Sequence, residues 1–212
     1  MELFSHIITI FSKGGFVMWP LLLCSIIVIA IALERGVYFR RHAHSDVKYL
    51  QALLVEQLKV GNWEKAREIC ERSRGIPADM LAQALRRPFE DSRQLEQVID
   101  GIATTAVTDL SYRLEYLDTI VTLAPLLGLL GTVTGMIQSF SVLTIKGGQP
   151  LVITGGVGEA LIATATGLCV AILALVIHSY FSHHVNTVIS DMERMSNYVL
   201  SAIPRRLPHE AQ

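Results

Sequence analysis

The chain has 212 residues, 51% of them apolar, with a mean hydropathy of +0.43 and a formal net charge of −1. Hydropathy at that level excludes an ordinary soluble domain, and the balanced charge argues against nucleic acid as a partner. Cys24, Cys70 and Cys169 are well separated and form no CxxC pair, so neither a disulfide framework nor a metal site is indicated.

Residues 1–13 place Leu3, Ile7, Ile10 and Phe11 on one helical face, the pattern of a short amphipathic helix on a membrane surface; it occupies segment 1–15, where Gly14 and Gly15 break it. Phe16 to Leu33 is an uncharged apolar run that ends in GluArgGlyValTyrPheArgArg. No small-residue cleavage site follows the run, so it is a retained first transmembrane helix, 16–39, and not a signal peptide. Segment 40–115 is polar and helical in pattern. Val47–Val60 forms one helix, and Asn62 caps a second that runs through Arg74. Pro77 suits the first turn of a third, ending near Arg87 before Pro88. From Ser92 the apolar positions Leu95, Ile99, Ile102, Ala106, Leu110, Leu114, Leu117 and Val121 keep helical spacing without a breaker. One helix is therefore predicted from about Ser92 to Leu143, with its membrane part at 116–144.

That second span lies in an uncharged run from Thr119 to Ile145, which at about 1.5 Å per residue crosses a hydrocarbon core of roughly 30 Å. Gly128, Gly131 and Gly135 recur at spacings of three and four and leave one face nearly bare, while Thr132, Thr134, Gln138 and Ser139 bring polar groups to membrane depth. Two readings fit: a tightly packed helix pair, or a helix lining a polar pore. A loop at 145–156 contains LysGlyGlyGlnProLeu and ends near the GlyGlyValGly of 155–158. The third span, 157–182, carries Ala160, Ala163, Thr164, Thr166, Gly167, Ala171 and Ala174. Beyond it, Phe181, Val185, Val188, Met192, Met195 and Val199 form a heptad-like seam in the C-terminal segment 183–212, which Pro204 and Pro208 terminate. Such a seam, if exposed to water, demands a neighbouring helix and argues for an oligomer.

Three spans put 34–118 and the C-terminus on one side of the membrane. Of 18 Lys and Arg, only Lys13 and Lys146 fall on the other, so the large loop and C-terminus are cytoplasmic and the N-terminus is periplasmic.

No HExxH, P-loop, GxSxG or intramembrane aspartate pair is present, so the residues point to no enzyme. His42 and His44, and His178, His183 and His184, cluster at predicted membrane boundaries, where solvated histidines explain them better than a metal. From Thr119 to the end of the third span, Glu159 is the one acidic residue. It is either a carboxylate stabilised by the dipole of its own helix's first turn, or part of an ion path with Thr166, seven residues on along the same face. Thr164 sits about 140° around the helix from Glu159, on a neighbouring face. Pro125 kinks the second span or frees the Val121 carbonyl as a polar ligand.

AlaProLeuLeuGlyLeuLeuGlyThrValThrGlyMet (124–136) and GlyGlyValGlyGluAlaLeuIleAlaThrAlaThrGlyLeuCysValAlaIle (155–172) resemble the two signature helices of the ExbB/TolQ/MotA proton-channel family. GlyGlyPheValMetTrpProLeuLeuLeu and the following GluArg of the first span resemble the ExbB branch. The resemblance covers about residues 12–200. It implies an all-α inner-membrane protein with three transmembrane helices, the second and third extended into a cytoplasmic helical bundle. It also implies a pentamer around a single-span ExbD- or TolR-type partner, working with a TonB/TolA-type energy transducer. By motif, the family's pore threonines fall on Thr132 and Thr164, its helix-three glutamate on Glu159 and its proline on Pro125. Leu173 stands where many relatives have a proline. A TolQ-like role in envelope integrity, or a scaffold that conducts nothing, are the rival readings. The two spans hold hydroxyls but no mid-membrane carboxylate, so a proton carrier must come from the partner.

Overall fold

The computed structural model describes residues 14–42, 47–89, 91–146 and 150–202. Among these there are seven helices and no strand: α1 (Met18–His42), α2 (Val47–Lys59), α3 (Trp63–Arg72), α4 (Ile76–Leu85), α5 (Ser92–Ser111), α6 (Leu114–Lys146) and α7 (Pro150–Ser201). Three stretches are long and apolar enough to cross a membrane, within Met18–Arg40, Ser92–Ser141 and Gly155–Ser201. The all-α, three-span architecture is thus the one expected. The surface helix expected in 1–15 falls almost wholly outside the described residues, as do His44 and the C-terminal tail.

The chain divides into two compact units, one formed by residues up to Leu33 with Leu114–Tyr180, the other by Glu34–Arg113 with the residues from Phe181 onward. In the second unit, Asn62 caps α3 by accepting the Lys65 N–H at 3.2 Å, and Asp91 caps α5 by accepting the Gln94 N–H at 2.8 Å. Each satisfies a donor that a helix start leaves orphaned. Pro77 lies in the first turn of α4, where its missing N–H costs nothing. The core of this unit is built from large side chains, among them Leu50, Leu54, Leu58, Met80, Leu81, Leu95 and Ile99.

Met192, Met195 and Val199 of α7 belong to that core, with Val188 packed against it, and Phe181 and Val185 are buried as well. The heptad spacing is therefore real, but the chain's own helices cover the seam. It does not demand a second copy, and that argument for an oligomer falls away.

Two helix boundaries differ from expectation. The helix predicted over 92–143 is two, α5 and α6, separated by Tyr112 and Arg113. Tyr112 keeps right-handed helical dihedrals, φ −46° and ψ −43°, so the interruption is one of hydrogen bonding. The Asp109 carbonyl, which a continuous helix would offer to the Arg113 N–H, accepts instead from Nη2 of Arg35 at 3.2 Å. Arg35 is buried, holds its guanidinium 5.5 Å from the Tyr38 ring centroid, and neighbours a 2.8 Å ion pair between Glu34 and Arg113. A cation at a helix C-terminus meets both the orphan carbonyls and the negative dipole end. Sequence spacing along α5 carries no trace of an arginine arriving from α1.

The second difference is the start of α7. It begins at Pro150, not near Val157, and Gly155, Gly156 and Gly158 lie inside it. Pro at the first helical position is pre-organised for a helix start, whereas the glycines weaken a helix without ending it.

Candidate functional site

In the first unit, α6 and α7 cross through their smallest residues. A Cβ placed on Gly128 would lie 3.1 Å from Thr164 Cα and 3.2 Å from the Ala163 carbonyl oxygen. One on Gly131 would come within 2.5 Å of Ala163 Cβ, and one on Gly135 within 3.0 Å of Ala160 Cβ. From the other side, a Cβ on Gly167 would meet the Ala124 carbonyl oxygen at 2.6 Å and Gly128 Cα at 3.0 Å. Backbone packs on backbone here, and any side chain at Gly128 or Gly167 displaces one helix from the other. Helix α6 runs unbroken past Pro125, with Ala124 fully buried at the crossing.

The hydroxyls at this crossing differ in what they bond. Thr164 Oγ1 donates across the pair to the Gly128 carbonyl at 2.9 Å, and lies 3.4 Å from the Ala160 carbonyl of its own helix. Thr132 Oγ1 donates within α6 to Leu129 O at 2.7 Å, and Thr166 Oγ1 within α7 to Ile162 O at 2.8 Å. Buried Ser139 donates to Gly135 O at 2.8 Å, and its Oγ fills the space a Cβ on Gly156 would need. A Ser or Thr bonded to its own backbone is silenced as a donor but keeps an oxygen lone pair available. Thr132, Thr164, Thr166 and Glu159 are all half-buried.

Glu159 is not in the first turn of its helix. With α7 beginning at Pro150, nine residues precede it, roughly 13 Å of helix, and dipole effects fade within the first turn. Its own helix dipole therefore cannot account for it. The carboxylate lies against Gly15, at the turn that leads into α1. Neither the glycine turn nor the sequence spacing of α7 announces that meeting.

His42, His183 and His184 belong to the second unit and His178 to the first. His183 and His184 have ring centroids 6.2 Å apart, and His184 lies 5.8 Å from the Phe39 ring.

A sequence model described as the MotA/TolQ/ExbB proton channel family matches residues 72–194, a stretch that includes all of α6 and most of α7. The chain belongs to that family. Within it, an ExbB-like 1 protein of Synechocystis is 39% identical over 174 residues, covering 79% of this chain and 67% of the relative. Biopolymer transport protein ExbB of Salmonella typhimurium is 28% identical over 186 residues, 81% of this chain and 73% of that protein. The Tol-Pal system protein TolQ of Haemophilus influenzae is 36% identical over 86 residues, 40% of this chain and 38% of that protein. The longer matches fall on the ExbB side. Three membrane-length helices in a proton-channel family make this a multi-pass membrane protein and a channel-family subunit of biopolymer transport or Tol-Pal type.

Proposed function

We propose that this chain forms the ring of an inner-membrane proton channel and motor that uses the proton motive force to energise transport at the outer membrane. The observation that carries this reading is the α6–α7 crossing, where Gly and Ala bring two apolar spans into backbone contact while the oxygen-bearing residues Thr132, Thr164, Thr166 and Glu159 stay half-buried. Hydroxyls line and order a path for protons but do not carry one, because they do not titrate near neutral pH. The carrier is a carboxylate on an ExbD/TolR-type single-span partner held inside a homo-oligomer, a pentamer by family resemblance, and a TonB/TolA-type transducer passes the motion on. Residues 40–115 and 183–212 face the cytoplasm, and 1–15 and 145–156 the periplasm, as the distribution of Lys and Arg supports. Labelling of a Ser201→Cys variant from the periplasmic side of intact spheroplasts would overturn that orientation.

The test of the path is Thr132→Val, which removes a hydroxyl bonded only within its own helix and leaves the crossing bonds in place. Transport driven by the proton motive force should fall while native mass spectrometry shows an intact complex. Wild-type transport by Thr132→Val rejects the path. Thr164→Val should be more damaging, but it also cuts the bond to Gly128, a loss of about 0.6–2 kcal/mol to the helix pair, so it discriminates less well. A TolQ-like role in envelope integrity is the second reading, favoured by the match to the Haemophilus protein. The identity of the single-span protein that copurifies with the chain separates the two.

A further inference from the structure

The carboxylate of Glu159 belongs to α7 but rests at the entrance to α1. A Cβ built on Gly15 would run into Glu159 Oε1, with Glu159 Cδ 3.3 Å from the same point. Gly15 holds φ +70°, and its carbonyl accepts the Met18 N–H at 3.2 Å where α1 begins. A helix start gathers unpaired N–H groups and the positive end of the dipole. The first turn of α1 carries no acidic side chain of its own. Glu159 brings a carboxyl group to that place from another span, into the space that the missing side chain of residue 15 leaves.

We infer that Gly15 is a positioning residue for Glu159: a side chain at residue 15 would evict the carboxylate from its seat at the start of the first span, and with it the point at which a proton entering the path is held. The inference rests on Glu159 belonging to the path proposed above. Proton transfer requires heavy atoms within about 2.6–3.2 Å, so a displacement of the size of one methyl group breaks a relay.

Two neighbouring facts separate the space that Gly15 leaves from the backbone conformation it adopts. Gly61 has nearly the same φ, +73°, but nothing lies within 4 Å of a Cβ placed there. Gly14 adjoins Gly15, and the three atoms nearest a Cβ placed on it, at 2.5–3.2 Å, all belong to the buried Met18 side chain and none to Glu159.

The experiment places Gly14→Ala, Gly15→Ala and Gly61→Ala in the full-length chain, each in the wild-type and in the Glu159→Asp background. It reads transport driven by the proton motive force in cells and the thermal midpoint of the purified complex. Aspartate is one methylene shorter and withdraws the carboxylate from residue 15. Gly15→Ala should lower transport about fivefold or more in the wild-type background and less than about twofold beyond Glu159→Asp alone, while Gly61→Ala stays within about twofold in both and Gly14→Ala changes transport by the same factor in both. An equal loss from Gly15→Ala in both backgrounds, or an equal loss from Gly61→Ala, overturns the inference. If Gly15→Ala does not accumulate in cells, accumulation of the Gly15→Ala, Glu159→Asp double variant supports the seat, and its failure to accumulate rejects it. The path reading is tested separately by Glu159→Gln: wild-type transport there removes Glu159 from the path. The thermal midpoints of the Gly15/Glu159 cycle still decide the seat, with coupling upholding it and additivity rejecting it.

Discussion

The two units solve the packing problem with opposite materials. Around α2–α5 and the end of α7, Leu54, Leu81, Leu95, Met192 and Met195 are buried and the charges face outward, including the pairs Arg72–Glu68 and Arg86–Glu71. At the α6–α7 crossing the buried residues are glycine, alanine and serine, and Leu126, Leu129, Leu130, Ile137 and Phe140 point away from the partner helix. Water drives large apolar groups inward, so a soluble bundle is held by area removed from water. Lipid is as apolar as leucine and supplies no such drive, so helices there associate through close backbone approach and the few hydrogen bonds it permits. The bond from Thr164 to the Gly128 carbonyl is one of these. Glycine within a helix is thus a structural asset at the α6–α7 crossing and a weakness in α5 of the other unit.

The largest effect that tests this contrast is Gly167→Ala. Its Cβ would press on the Ala124 carbonyl and Gly128 Cα, both backbone, so the helix pair must separate. Loss of the assembled complex on native mass spectrometry is the expected outcome. An intact, fully active complex would show that the crossing is not close-packed.

Next comes Leu81→Ala in the soluble core, where Leu81 is fully buried; unfolding of that unit should become easier by about 2–5 kcal/mol. Leu129→Ala, on the exposed face of α6, should leave its thermal midpoint almost unchanged. Equal effects from the two leucines would erase the distinction between the units.

A third measurement uses Cys70, buried in the soluble core. Burial first, and the neighbouring Glu71 charge second, push its thiol up to about 12 from an ordinary value near 9. The folded state therefore holds this proton more tightly than the unfolded chain. The corresponding stability is intact below about pH 9 and declines as pH rises from there towards 12. Thiol reagents at pH 8 should accordingly modify Cys70 only after unfolding, and rapid modification of the native protein would contradict its burial.

The smallest effect has the opposite sign. Gly101 lies in α5, with nothing within 4 Å of a Cβ placed on it. Gly101→Ala should stabilise the soluble unit by up to about 1 kcal/mol, because alanine restricts the unfolded chain and favours the helix. The same Gly-to-Ala change would then disrupt one unit and strengthen the other.

What the sequence determined by itself is whatever depends on neighbours in the chain. The three spans follow from unbroken apolar runs, the starts of α3 and α4 from Asn62 and Pro77, and the seam from Phe181 to Val199 from its spacing. The bare face of Gly128, Gly131 and Gly135 was legible in the sequence, but spacing alone left open whether it packs on a helix or lines a pore; contact with Ala160, Ala163 and Thr164 is what the tertiary structure adds. Tertiary structure decided what each of these faces meets. The seam turned inward on α2–α5 because those helices lay within reach to cover it. Arg35 interrupted the long helix at Tyr112 by taking a carbonyl that local spacing had assigned to Arg113. Glu159 found the start of α1 only because the first unit brings α7 against the turn at Gly15. Periodicity records which way a side chain faces along its own helix; it holds no record of which distant segment arrives there, because that depends on the balance of contacts over the whole fold.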